Sequence, residues 1–156
     1  MPRERPSALV KAMNFLAARG LSEAELLAKL RRAGYSDEEA DSAIAECVRR
    51  NYLNDEQLTA DCVDLLHQRN LGARQIRQKL LRRGLDGEEI STFLNDSQED
   101  ETEAARRAME GKLRLLSRES DPRKKREKLF RFMAARGFAP QLIFKMMDEF
   151  SSSAEE

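Results

Sequence analysis

The chain contains a single histidine, His67, and two cysteines, Cys47 and Cys62. A His-based triad needs partners that orient its imidazole, and a zinc site needs several ligands at short spacings. Neither set exists here, so His67 reads as a residue on a helix surface. Carboxylates do cluster, as in Asp37-Glu38-Glu39, but where a helix is about to begin. There they offset the positive end of the helix dipole. No GxxxxGK[ST] or GxGxxG stretch occurs and Gly111-Lys112 stands alone, which leaves no phosphate cradle. The Met and Phe residues near the C-terminus read as core rather than as a ligand pocket.

What remains is charge. From 69 to 83 the chain carries Arg69, Arg74, Arg77, Lys79, Arg82 and Arg83 with no acidic residue among them. A second cluster, Arg123, Lys124, Lys125, Arg126, Lys128 and Arg131, is opposed only by Glu127. On a helix, the first cluster spreads over the face opposite Ile76 and Leu80. Such faces are either simply solvated or bind acidic protein surface or phosphate, with strong salt dependence. The residues therefore point to binding rather than catalysis, and no enzyme, cofactor or metal is expected.

The whole chain is balanced, with 28 basic and 28 acidic residues in 156. Composition thus gives no reason for avid binding to bulk nucleic acid. β-branched residues are few, while Leu, Ala, Arg, Lys and Glu dominate, a mixture that favours helix. The opening Met-Pro-Arg-Glu-Arg-Pro leads into no apolar h-region, and the longest nearly apolar run, Ala12 to Ala18, is too short to span a bilayer. A cytoplasmic protein with reduced, buried thiols is the expectation.

The elements that must position these groups repeat. Ser22-Glu23-Ala24-Glu25 and Ser36-Asp37-Glu38-Glu39 both have the form of a capping box, in which a serine oxygen and a glutamate satisfy free amides reciprocally. Leu26 and Leu30 follow the first, and Gly34 stops that helix. Fifty residues on, Ile76, Leu80 and Gly84 repeat the pattern, with Ile90 in place of Ala40. Such self-similarity marks a repeated supersecondary unit. Matching Gly84 to Gly137 pairs Ile76 with Leu129, Leu80 with Met133 and Ile90 with Ile143. The stretch Phe132 to Phe138 also resembles Phe15 to Leu21, but the first register gives the upstream helix a role. An all-α fold of three tandem three-helix units follows. Their expected spans are 1–53, 54–95 and, after an acidic connector, 96–156.

Three passages resemble the RecX family of recombinase regulators. Ser22-Glu23-Ala24-Glu25-Leu26 with Lys29-Leu30 is similar to S-x-x-E-L-x-x-K-L. Asn51-Tyr52-Leu53-Asn54-Asp55 is similar to a Gly/Asn-Tyr-Leu-Asp-Asp turn, followed by Arg74-Gln75-Ile76-Arg77-Gln78-Lys79-Leu80. Phe132 to Phe138 is similar to F-L-x-x-R-G-F. The chain departs from the family at Gln57-Leu58-Thr59, where Arg-Phe-Ala is usual, and at Asn70-Leu71-Gly72-Ala73, where G-x-G-P is usual. The resemblance implies that the three-helix units form an elongated, curved array, which binds in the groove of a RecA–single-stranded-DNA filament and suppresses recombinase action. A monomer making at most weak direct contact with DNA is the corresponding expectation.

Overall fold

The cap, apolar stripe and glycine stop recur as nine α-helices in the computed structural model, which describes residues 4–155. They are α1 (Ala8–Ala18), α2 (Glu23–Arg32), α3 (Asp37–Arg49), α4 (Asp55–Gln68), α5 (Ala73–Arg82), α6 (Gly87–Asp96), α7 (Gln98–Leu115), α8 (Pro122–Ala135) and α9 (Pro140–Glu155). No strand occurs among the described residues, and none of their helices is long and apolar enough to cross a membrane.

Six of the nine starts are explained by a side-chain oxygen that satisfies a free amide: Ser7, Ser22, Ser36, Asn54, Asp86 and Asp121. The box at Ser22 is complete, with Ser22 N–H donating to Glu25 Oε1 (2.9 Å) and Glu25 N–H to Ser22 Oγ (3.0 Å). At Ser36 only half of the expected box forms. Glu39 N–H donates to Ser36 Oγ (3.1 Å), while the Glu39 carboxylate takes Arg5 instead (3.3 Å).

Three triplets of helices enclose three separate cores. Leu26, Leu30, Tyr35 and Ala40 are buried in the first; Ile76, Leu80, Leu85 and Ile90 in the second; Leu129, Met133, Phe138 and Ile143 in the third. These are the same four positions of the repeat. Each buried leucine or isoleucine contributes roughly 1.5–3 kcal/mol. Gly34, Gly84 and Gly137 all adopt positive φ (91°, 80° and 98°) after the second helix of a unit. Phe132 to Phe138 accordingly joins α8 to α9, as the first of the two registers requires.

Four expectations are corrected. The acidic stretch after Asn95 is not a connector: Glu99, Asp100 and Glu101 form the first turn of α7, and only Ser97 separates it from α6. Glu101 also accepts the Ala73 N–H, capping α5, whose own N-cap, Gly72, has no side chain to do so. His67 is buried rather than on the surface, because the inner stripe of α4 runs Thr59, Val63, His67 and leaves Leu65 exposed. Its Nδ1 donates to the Leu71 carbonyl (3.3 Å), and Nε2 meets Ser97 Oγ (3.1 Å). Both cysteines are free, but Cys62 is only half-buried. Phe144, taken for core, is 47% exposed.

The units meet through one joint used twice. In the first, Ser22 Oγ donates to the Arg83 carbonyl (2.5 Å), and the Arg83 guanidinium reaches back to Gly20 O (2.9 Å) and Glu25 Oε1 (2.9 Å). In the second, Gly72 N–H donates to the Arg136 carbonyl (2.8 Å) and Arg74 N–H to Gly137 O (3.1 Å). Arg136 then reaches back to Asn70 O (2.8 Å) and Arg69 O (2.7 Å). The N-terminus of one second helix thus rests on the C-terminus of the next, which sets their dipoles head to tail. Helices α4 and α7 also pack across the second joint, where Arg107 donates to His67 O (3.0 Å). At the outer end of the first unit Arg5 takes over: its Nη1 donates to Gly34 O (3.0 Å) and its guanidinium lies 4.0 Å over Tyr35.

Gly137→Ala should lower stability by about 2 kcal/mol or more, since it combines positive φ with a Cβ 2.4 Å from Gln75 N. Gly111→Ala, in α7 with nothing within 4 Å, should raise it by about 0.5–1 kcal/mol. Urea unfolding of both variants checks the contrast.

Candidate partner-binding surface

The basic residues of α5 divide by geometry into two groups. Arg74, Lys79 and Arg82 are exposed, as is Arg69 at the end of α4, and none forms an ion pair with the described residues. Arg77 is half-buried; its Nη1 donates to Gly87 O (3.2 Å) and Ser91 Oγ (2.5 Å), holding α6 against α5. Arg83 belongs to the joint, with Glu25 as its ion-pair partner and Cys62 Sγ at 3.3 Å. Its expected place on a free basic face is therefore corrected. Position 83 ends α5 beside the preceding unit, and a carboxylate waits there.

On α8, Lys124, Arg126 and Arg131 are exposed and Lys125 is half-buried, all without ion pairs among the described residues. Lys128 is engaged by Glu119 (2.6 Å), and its hydrogen bond holds the Glu119 carboxyl below the usual range.

The joint brings the two clusters together. A depression of about 410 Å³ lies over it, with Arg74, Arg77 and Leu81 of α5 facing Ala134 and Ala135 of α8. A second, of about 480 Å³, lies between α8 and α9, with Arg123, Arg126, Arg131, Phe130 and Phe144 around it. Positions 123, 127, 130, 131 and 134 share one stripe of α8 at helical spacing, so both depressions open onto the same side of that helix. Leu81 (46% exposed) and Phe144 (47% exposed) are large apolar groups set in this basic surface. Sequence reasoning missed both, together with Arg136. The pairs Arg83-Gly84 and Arg136-Gly137, against Ala33-Gly34 in the first unit, were the signal for the joint.

Electrostatics ties the joint down. Burial pushes the Glu25 carboxyl up, but the Arg83 hydrogen bond, the Ser22 N–H and the charges of Arg83 and Arg19 outweigh it and leave its pKa below the usual value. Burial raises the Cys62 thiol despite the nearby Arg83, which disfavours the reactive thiolate.

Family models described as RecX, first three-helix domain, and RecX, third three-helix domain, match residues 8–47 and 99–147. A regulatory protein RecX from Chlorobaculum tepidum is 35% identical over 136 residues, covering 86% of this chain and 82% of the relative. The chain belongs to the RecX family. A regulatory protein RecX from Legionella pneumophila is 30% identical over 143 residues, 91% of this chain and 93% of its own. The crystal structure of RecX from Lactobacillus salivarius superposes with a TM-score of 0.84 at 18% identity, covering 92% of this chain and 94% of that one. The three-helix units and their order are therefore those of the RecX fold.

Since the folded pKa of Glu25 lies below its reference of 4.5, its contribution is full above that value and lost as pH falls through the lowered one. Glu25→Gln should therefore flatten the acid side of the stability profile in the range below pH 4.5. A double-mutant cycle of Glu25→Gln with Arg83→Met should give a coupling of about 1 kcal/mol. Urea unfolding across that pH range measures both.

Proposed function

We propose that this protein is a non-enzymatic regulator that docks along the RecA–single-stranded-DNA filament and inhibits its ATP hydrolysis, strand exchange or growth. The observation that carries this reading is the basic surface that continues across the joint, with Arg74, Arg82, Arg126 and Arg131 lacking ion-pair partners among the described residues. Family membership supports it, because the relatives are named regulatory proteins. Three small units in series can touch successive protomers of a filament, so that modest contacts add through high effective concentration. The protein would act as a cytoplasmic monomer, with the filament as partner and DNA contact confined to phosphates exposed in the groove. A direct DNA-binding helical module is the second reading, favoured by the same unpaired arginines; the zero net charge weighs against it.

RecA ATP hydrolysis on single-stranded DNA, measured beside binding to naked DNA at physiological salt, separates the two. Inhibition is expected at concentrations that give no naked-DNA binding, whereas tight DNA binding without any effect on RecA overturns the filament reading. Charge reversal at Arg74, Arg82 and Arg131 should weaken inhibition about ten-fold or more with helical content unchanged. Arg83 is unsuitable for this test, since reversing it breaks the joint. Undiminished inhibition by the triple variant would make the surface a solvated face only.

A further inference from the structure

The seam between α8 and α9 holds more than the basic surface requires. Beside the depression at Phe130 and Phe144 lies another, of about 560 Å³, walled by Leu113, Leu129, Met147 and Phe150. The two share Arg126 and Met147 and so adjoin one another, with Leu113 of α7 closing the inner side of the second. The helices run antiparallel there, as the pairing of Phe130 with Phe144 (ring centroids 5.3 Å apart) and of Pro122 with Phe150 and Ser151 shows. From Pro122 to Arg131 the seam is roughly 13 Å long, between two and three helical turns. Its floor is apolar. Its rim carries Arg123, Lys125, Arg126 and Arg131, none of them ion-paired with described residues, against one carboxylate, Glu127.

We propose that this cleft is a docking site for an acidic amphipathic peptide segment of a partner protein, one that sets two apolar side chains into the two depressions and its carboxylates against the arginine rim. Apolar anchors about one to two helical turns apart, inserted into a groove between helices, are a common mode of helix recognition, and unpaired arginines at the rim favour carboxylates in bidentate geometry. Charge complementarity selects the acidic class. A single strand of nucleic acid fits less well: bases stack on ring faces, and the second depression has aliphatic walls with only the half-buried Phe150 as a ring. The proposal deepens the filament reading and rests on it only for which protein carries the segment.

The test uses the full chain and a fluorescein-labelled helical peptide of about twelve residues, with Phe and Leu one turn apart and Asp or Glu at most other positions. Saturable binding by fluorescence anisotropy is expected. It should weaken about ten-fold or more for Phe144→Ala, for Arg126→Glu, and for the same peptide with both anchors changed to Ala. Phe144 and Arg126 are exposed, and thermal melts of both variants control for folding. No binding of the peptide overturns the proposal. So does binding of a labelled oligo(dT) of similar length that depends on the same two residues while the peptide does not bind. RecA inhibition is measured on the same preparations. Inhibition without peptide binding overturns the cleft alone, and peptide binding without inhibition overturns the filament reading alone.

Discussion

A methyl group on Gly72 would lie 2.4 Å from the carbonyl carbon of Gly137. That close approach of two backbones is the constraint on which the surface depends. It lets Gly72 and Arg74 donate directly to the Arg136 and Gly137 carbonyls, so the second and third units are fixed to one another by main chain. Because the contact joins the start of α5 to the end of α8, it places two basic helices on one continuous surface. It also uses amides that α5 would otherwise leave without partners, Gly72 having no side chain to cap its own helix. Glu101, from the helix that opens the third unit, completes that cap. The first joint does the same work with side chains, a serine hydroxyl and an arginine–glutamate pair, and so rests in part on an ion pair that salt screens.

Arginine serves three separate purposes here, and geometry alone separates them. Arg83 and Arg136 satisfy carbonyls of the preceding unit. Arg77 fastens a third helix to a second. Arg74, Arg82, Arg126 and Arg131 face outward without ion pairs among the described residues. A planar fork of donors suits all three settings, since it can span two acceptors at once. The result is a chain of zero net charge that still presents a cationic stripe, because many of its carboxylates are spent on helix N-termini, as at Asp37, Glu38, Glu39, Glu88 and Glu89.

Most of the fold was legible in the sequence because it is written locally. A serine or aspartate cap, an apolar stripe and a stopping glycine each act within one or two turns, and positions such as Leu26, Ile76 and Leu129 fall into the core as their period demands. What escaped was non-local. Thr59 and His67 are polar residues on the inner stripe of α4, and they are tolerated there only because Asp55 O, Leu71 O and Ser97 supply partners. The acidic run at Glu99 to Glu101 looked like a linker because its use as a helix start, and as a cap for α5, depends on a neighbour twenty-eight residues away. The basic clusters were visible as clusters, but their division between joint and open surface depends on which residues face Gly20, Glu25 and Gly87. Phe144 stands at the outer edge of a stripe whose inner members, Ile143 and Met147, are core.

In both joints the glycine turn of one unit meets the start of the second helix of the unit before it. Here the exposed turn at Gly34 is already taken: Arg5 fills the acceptor, lies across Tyr35, and is tied to Glu39, while the tyrosine hydroxyl donates to Pro6 O. Arg5 thus does for the Gly34 carbonyl what the Arg74 amide does for that of Gly137.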